Sequence, residues 1–297
     1  MNDFIRIPIG DWVDAVIDFI VANLQGLFLV LRAIFLGMYD AIDLVLASPP
    51  FWVVVIVVGL VGLLARGWVF GGGIALALLL VAGMNQWSNA MDTLSLVVVA
   101  TIVALLVGIP LGIAAAKSNT FSAIVRPILD FLQTMPALVY LVPALLLFRV
   151  GVAPGIVATI LFAIAPAVRL TELGIRGVDR EVVEAGNAFG APPSRILRQI
   201  QLPLALPTIM AGVNQVIMLA LSMVVLAGMV GAGGLGGEIL AALGRLNVAL
   251  AVEAGLAVVI LAILLDRLTG AFGQRRGLYA ALRARSARRT AIGTTAE

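Results

Sequence analysis

Long uncharged runs of Leu, Val, Ile and Ala are the feature that most limits what this chain can fold into. A helix needs about 20 such residues to cross the hydrocarbon core of a bilayer, which is about 30 Å thick. Each run is continuously apolar and lacks the alternation of roughly 10-residue strands that marks a membrane barrel. Because 62% of the residues are apolar and only 12% are charged, the sequence predicts an all-α bundle of transmembrane helices.

Windows of this kind predict a polytopic bundle of about seven spans. They cover residues 49–65, 70–87, 92–116, 131–149, 154–170, 204–229 and 246–266. We divide the chain into an N-terminal region (1–48), two accessory spans (49–88), a core (89–270) with a polar loop at 171–203, and a basic tail (271–297).

The N-terminal region alternates apolar and acidic side chains at helical spacing. Apolar residues from Trp12 to Leu24 recur opposite three aspartates that end at Asp18, which is typical of an amphipathic helix. A second stretch covers residues 27–46, with charges at Arg32, Asp40 and Asp43. We expect both helices on the outer membrane face or packed against the bundle, with a docking or gating role as the alternative. The acidic start predicts no removable signal peptide.

The basic residues predict the orientation, since Lys and Arg are retained on the cytoplasmic side of short loops. If the tail is cytoplasmic and the N-terminus outside, only four of the 19 basic residues face outward: Arg6, Arg32, Arg149 and Arg245. The reverse orientation would invert that ratio. The basic tail is what this topology requires, so we expect no nucleic-acid partner.

Catalysis and cofactor binding find no support in the sequence. Cys and His are absent, which removes disulfides, thiolates and the commonest metal ligands. No G-x-x-x-x-G-K-[ST] loop occurs, so this chain has no ATP site of that type. Gly231, Gly233 and Gly236 spell G-x-G-x-x-G, but they follow an apolar helix rather than a strand. We interpret them as a tight turn with close helix packing, and expect no catalytic residue, metal or cofactor.

The polar loop carries residues at a distinctive spacing. In chain order they are Glu184, Ala185 and Gly186, then Gly190, then, after nine residues, Ile200, Gln201, Leu202 and Pro203. This set resembles the E-A-A, three residues, G, nine residues, I-x-L-P signature of importer permeases of the ATP-binding-cassette class. Its one departure is Gly186, where alanine is usual.

Local physical chemistry predicts the shape of this loop independently. Asp179 is a plausible N-cap, and Glu181 in the first turn suits the helix dipole. Gly190 and the prolines after it predict the end of that helix. A second short helix would run to Pro203. The sequence thus predicts a cytoplasmic helix-turn-helix, residues 179–203, which we call the knob; one of its faces is apolar and needs a partner.

The resemblance implies what that partner is. In this family the knob enters a surface groove of a separate ATPase subunit, which binds ATP and Mg²⁺ and is present in two copies beside a permease homodimer. It assigns Glu184 to polar contacts at this interface and Gly190 to the turn. It also implies a multi-pass protein of the bacterial inner membrane.

Further segments resemble the membrane subunit of glycine betaine/proline betaine importers. They are LPLALPTIMAG at 202–212, MLALSMVVL at 218–226, LAILLDRLT at 261–269 and DFLQTMPALVYLVP at 130–143. The resemblance implies osmoprotectant uptake of betaine- or choline-type quaternary amines, delivered by a periplasmic or lipid-anchored binding protein. The alternatives are another small zwitterion or amino acid, or a secondary transporter driven by an ion gradient. The last is disfavoured because only Glu253 lies well inside a span.

Polar side chains within the predicted spans are candidates for the translocation path, because such groups usually face the bundle interior. They are Gln133, Thr134, Tyr140, Asn214, Gln215 and Ser222. Tyr140 could contact a quaternary ammonium through its ring, or serve in packing or as an interfacial anchor. The others either line the path or bond neighbouring helices.

Overall fold

The computed structural model describes residues 9–273, and the regular structure in that range is helical, which confirms the all-α prediction. In chain order the α-helices are α1 (Ile9–Ala47), α2 (Phe51–Arg66), α3 (Trp68–Gly83), α4 (Trp87–Lys117), α5 (Asn119–Thr134), α6 (Leu141–Phe148), α7 (Val152–Arg176), α8 (Arg180–Ala188), α9 (Pro193–Ile196), α10 (Leu202–Gly228), α11 (Gly234–Gly244) and α12 (Val248–Gly273). A 3-10 turn (Ala137–Tyr140) precedes α6, and a π turn (Leu197–Gln201) joins α9 to α10.

Helices α4, α7 and α10 form the centre of the bundle, and small residues set their spacing. A Cβ atom added at Gly112 of α4 would lie 2.6 Å from the carbonyl oxygen of Val168 in α7. At Gly212 of α10 it would lie 3.2 Å from the carbonyl oxygen of Pro166 in α7. Small residues let helix backbones approach closely, and this contact by van der Waals packing is what holds helices together in lipid.

Among residues 9–273, five helices are long and apolar enough to cross a membrane: α1, α4, α7, α12 and the continuous helix from α9 through α10. Four of them correspond to the spans predicted at 92–116, 154–170, 204–229 and 246–266. The other three predicted spans differ from this pattern: in the described part of the chain, the helices that meet the length and hydropathy of a span number five, or six if one bent pair counts as a span, against the predicted seven or so.

The span predicted at 131–149 is divided between α5 and the segment that ends with α6, which meet at 108°. Pro136 explains the break. Met135 before it has the extended backbone (φ −67°, ψ 137°) that a following proline favours. Only the two parts together are apolar and long enough to count as one crossing.

The spans predicted at 49–65 and 70–87 become two helices of 16 residues each, α2 and α3. At 1.5 Å per residue each is about 24 Å long, less than the hydrocarbon thickness of about 30 Å. Gly67 separates them with a positive φ of 101°. They pack as a close hairpin, because a Cβ at Gly71 would be 2.8 Å from the carbonyl oxygen of Gly59.

The N-terminal region forms one helix, α1, interrupted by non-helical geometry at Leu24. Its second half packs on the bundle, where Phe28 meets the ring of Phe148 edge-on at 5.4 Å and Asp43 accepts a hydrogen bond from Ser95 of α4. The sequence predicted amphipathic helices here, whereas α1 also meets the length and hydropathy of a span. Its charged residues are spaced widely enough to leave an apolar window between them.

The glycine-rich turn at 231–236 joins α10 to α11. A Cβ at Gly236 would lie 2.2 Å from the carbonyl oxygen of Val224, so a side chain there is incompatible with the packing of the two helices. Thr93 of α4 accepts a hydrogen bond from the backbone N–H of Leu235 at 2.9 Å. This arrangement is the tight turn with close helix packing that we inferred from the G-x-G-x-x-G pattern.

Candidate functional site

The first arm of the knob is α8, and its start follows the sequence prediction. The carboxylate of Asp179 accepts a hydrogen bond from the backbone N–H of Glu181 at 2.9 Å, which caps the helix. Every residue of α8 is at least partly exposed. The arm therefore projects from the bundle and contributes little of its surface to the core.

The arm ends at a turn that depends on Gly190. Its φ of +72° lies in the left-handed region, and the backbone N–H groups of Gly190 and Ala191 donate to the carbonyl oxygens of Asn187 and Gly186. An added Cβ would meet no atom within 4 Å. Glycine is thus required here by its backbone angle rather than by lack of space.

The second arm differs from the predicted short helix that stops at Pro203. It begins with Pro193, runs through α9 and the π turn, and continues into α10 as one 36-residue helix. Pro203 is the second residue of α10, which begins where the π turn ends. Proline has no N–H to donate, and a π turn already departs from the α-helical hydrogen-bond pattern, so the helix continues past the ring.

The two arms pack against each other at Gly186. A Cβ atom there would lie 2.8 Å from Cδ1 of Ile200 and 3.5 Å from Cγ1 of Ile196. The isoleucine end therefore occupies the space that an alanine methyl would take. Gly186 and Ile200 thus form the contact between the two arms.

A buried carboxylate ties the base of the knob to the bundle. Glu172, near the end of α7, is 5% exposed and accepts hydrogen bonds from Ser122 at 2.7 Å and Arg126 at 2.9 Å. Nε of Arg176 lies 3.0 Å from the same carboxylate, and its guanidinium also donates to the carbonyl oxygen of Ala115 at 2.7 Å. These bonds hold the end of α7 against α5 and the end of α4, one short loop before the knob. The sequence did not single out Glu172, since a lone carboxylate beside a polar loop carries no distinguishing pattern.

The outward surface of the knob combines charge with an exposed aromatic ring. Glu184 and Ala185 are exposed on α8, and Phe189 beside the turn is 92% exposed. Val182 on the same helix is 41% exposed. The sequence analysis missed Phe189, although an aromatic residue beside the turn glycine of a polar loop was a usable signal. Exposed aromatic side chains of this kind are common anchors in protein interfaces.

The candidate path residues near the break between α5 and α6 take different positions. Gln133 and Thr134 are exposed, and the hydroxyl of Thr134 donates to the carbonyl oxygen of Phe131. Tyr140 is 3% exposed and packs near Phe162, while its hydroxyl donates to the carbonyl oxygen of Leu132. Within one chain the Tyr140 ring is therefore part of the packing around the bend.

The three candidates on α10 fall into two groups. Asn214 donates to Asp266 of α12 at 2.6 Å and accepts from Thr269 at 2.9 Å, so it joins two helices. Gln215 and Ser222 are both exposed and stand seven residues apart, with the exposed Met218 between them. This spacing places them on one stripe of α10, which we call the α10 stripe.

Two crystal forms of the inward-facing MetNI methionine ABC transporter contain a chain with the same fold, at TM-scores of 0.57 and 0.58 and 22% identity, covering 61% and 62% of this chain. A family model described as "binding-protein-dependent transport system inner membrane component" matches residues 108–277. The chain belongs to this family.

Members of the permease family from several bacteria are similar along nearly the whole chain. The glycine betaine/carnitine transport permease protein GbuB of Listeria monocytogenes is 45% identical over 93% of this chain and 99% of its own length. The glycine betaine/proline betaine permease ProW of Escherichia coli is 45% identical over 90% of this chain and 76% of its own. OpuAB of Bacillus subtilis, a glycine betaine transport permease, is 43% identical over 91% of this chain and 95% of its own length. The resemblance read from the sequence is confirmed.

Membership in the permease family, together with the long apolar helices, makes this a multi-pass protein of the inner membrane. The matched residues include the knob, the α10 stripe and the whole of α12. The relatives are transport permeases, which are membrane components of transport systems rather than enzymes.

Proposed function

We propose that this chain is the membrane-spanning subunit of an ATP-driven importer of betaine-type quaternary amines, and that the knob couples it to a separate ATPase. The observation that carries the proposal is the geometry of the knob: two packed arms, a glycine-dependent turn and a surface that exposes Glu184 and Phe189. An apolar ring that is 92% exposed at the tip of a polar loop is poorly suited to water and well suited to a partner groove.

The substrate class rests on the names of the relatives. The names of the relatives that match most of the chain include glycine betaine, proline betaine and carnitine, and the name of a relative with a shorter match includes choline. All four are small molecules that carry a quaternary ammonium. We propose glycine betaine or proline betaine uptake for osmoprotection, with choline as a further candidate. Another small zwitterion or an amino acid would be the alternative within the same family.

The partners follow from the family description, which names a binding protein. We propose a permease homodimer with two ATPase copies at the knobs and a periplasmic or lipid-anchored binding protein on the opposite face. The knob side would be cytoplasmic, with the N-terminus outside and the basic tail inside. ATP and Mg²⁺ would bind the ATPase, while this chain would hold no cofactor.

For the path we propose the α10 stripe. Gln215 and Ser222 are polar groups at membrane depth that remain exposed within one chain, which is the arrangement expected where two permease copies enclose a channel. Asn214 would serve instead to fix α10 against α12, since its amide is bonded to Asp266 and Thr269.

Reconstitution into vesicles tests the proposal. Uptake of radiolabelled glycine betaine should require ATP, the ATPase and the binding protein together. Uptake by this chain alone under an ion gradient would contradict it and favour a secondary transporter.

Charge reversal tests the coupling surface. Glu184→Lys should abolish ATP-dependent uptake and reduce ATPase retention on the purified permease, while leaving the permease inserted. Lys117→Glu, which reverses another exposed charge at the end of α4, is the matched control and should retain both. If Glu184→Lys retained as much ATPase and supported as much ATP-dependent uptake as an active Lys117→Glu variant, Glu184 would be excluded from the interface.

A further inference from the structure

A groove outside the proposed transport machinery lies where the α2–α3 hairpin meets α12. It has a volume of about 640 Å³, within the range of about 300–1,000 Å³ typical of ligand pockets. Its walls include Phe70, Gly73, Ile74 and Ile263, and its lining includes two charged side chains, Arg66 and Arg267. The groove is therefore apolar along its length with two cations among its lining residues.

The surroundings of the groove are membrane-like. The outward faces of the adjoining helices carry exposed apolar residues such as Leu76, 71% exposed on α3, and Val259, 51% exposed on α12. On α3 the lining positions recur from Phe70 to Ala77, seven residues and about 10 Å along one face. A hydrocarbon chain lying in this groove would contact apolar side chains throughout.

The residues at the arginine end of the groove are of types common at the membrane–water interface. Arg66 is the last residue of α2, and its guanidinium carbon lies 5.9 Å from the centroid of the Phe70 ring. Trp68, two residues on, is 79% exposed, and tryptophan is enriched at membrane–water interfaces. Arg267 lies toward the end of α12, in the same part of that helix as Asp266, which binds Asn214 of α10.

The charge at this end is incompletely neutralised by the protein. Arg267 contacts the carboxylate of Asp266 only at 3.9 Å, with the two side chains 58% and 40% exposed. The other oxygen of that carboxylate accepts a hydrogen bond from Asn214 at 2.6 Å. The carboxylate nearest to Arg267 is thus already engaged by another helix, and an anion would complement the two guanidinium groups.

We propose that this groove binds an anionic phospholipid, with its phosphate between Arg66 and Arg267 and an acyl chain along Phe70, Ile74 and Ile263. Guanidinium groups bind phosphate oxygens through paired N–H donors, and basic pockets between transmembrane helices are known sites for anionic headgroups. A lipid satisfies the apolar walls and the two arginines at once.

Native mass spectrometry of the delipidated full-length chain tests this with phosphatidylglycerol and phosphatidylcholine as probes. Phosphatidylglycerol should bind more tightly than phosphatidylcholine. The double variant Arg66→Gln, Arg267→Gln should lose about 30-fold in affinity for it, the equivalent of about 1 kcal/mol for each arginine. Arg245→Gln, which removes an exposed arginine between α11 and α12, should bind as the unaltered chain does.

A second pair of variants tests the apolar part of the site. An added Cβ at Gly73 or at Gly72 meets no atom within 4 Å, so a side chain can start at either position without a backbone clash. Only Gly73 lines the groove, and Gly73→Leu should displace the acyl chain and weaken binding, whereas Gly72→Leu should not.

Three results would overturn the proposal: unchanged phosphatidylglycerol affinity in the double arginine variant, equal affinity for the two lipids, or equal binding by the two leucine variants. A Gly73→Leu variant that bound lipid normally but changed the oligomeric mass would show that a second copy of the chain covers the groove instead.

Discussion

Replacing Phe189 by alanine should weaken binding of the ATPase without destabilising the permease. The ring is 92% exposed, so it contributes almost nothing to the fold of its own chain. Burying a phenylalanine side chain in a partner groove is worth about 1.5–3 kcal/mol. Loss of that burial corresponds to a decrease in affinity of about 10- to 150-fold.

The assay is binding of the purified ATPase to permease in lipid nanodiscs, with thermal unfolding of the permease measured in parallel. Leu246→Ala is the matched control, because Leu246 is 88% exposed in the turn between α11 and α12, outside the knob. Phe189→Ala should lower the affinity and leave the unfolding midpoint unchanged, and Leu246→Ala should change neither. An unaltered affinity in Phe189→Ala would refute the assignment of this ring to the interface.

Substitutions at two positions within the knob, and at Glu172 at its base, test how the knob is built and held. Gly190→Val should reduce coupled uptake about 5- to 30-fold, since a left-handed backbone costs a non-glycine residue about 1–2 kcal/mol; Gly190→Asn should retain more uptake, and equal losses would contradict the backbone argument. Gly186→Ala should retain uptake because its methyl displaces only the flexible end of Ile200, whereas Gly186→Leu should separate the arms; loss in both would show that the contact is rigid. Glu172→Gln should lower the free energy of unfolding by about 2 kcal/mol, read as a lower melting midpoint, because two charged hydrogen-bond partners lose their carboxylate. Asp130→Asn, whose ion pair with Arg169 is far more exposed, should cost less than about 1 kcal/mol, and a larger cost than Glu172→Gln would contradict the role of burial.

The features that local chemistry determines were predictable from the sequence. The cap at Asp179 and the turn at Gly190 follow from residue types that have few alternatives. The long apolar helices α4, α7, α10 and α12 follow from hydropathy, which needs no tertiary information.

The features that depend on neighbouring helices were not predictable in the same way. Hydropathy cannot distinguish a straight span from the bent pair α5 and α6, because the bend follows from the backbone before Pro136. The continuation of α9 into α10 required the π turn, which has no sequence signature. The packing of Tyr140 and the bonds of Asn214 depend on which helix lies opposite. Glu172 is identified by the three donors that other elements bring to it.

The continuity of the second arm with α10 has a mechanical consequence. Nine of the 36 residues in this helix, 193–201, precede α10 and span about 13 Å, and the remaining 27, which form α10, span about 40 Å and run through the bundle. A rod of these proportions that pivots near Leu202 acts as a lever with arms in a ratio of about one to three. A displacement of 1 Å at the tip of the short arm would move the far end at Gly228 by about 3 Å, so small motions of a docked partner would be enlarged at the opposite membrane face.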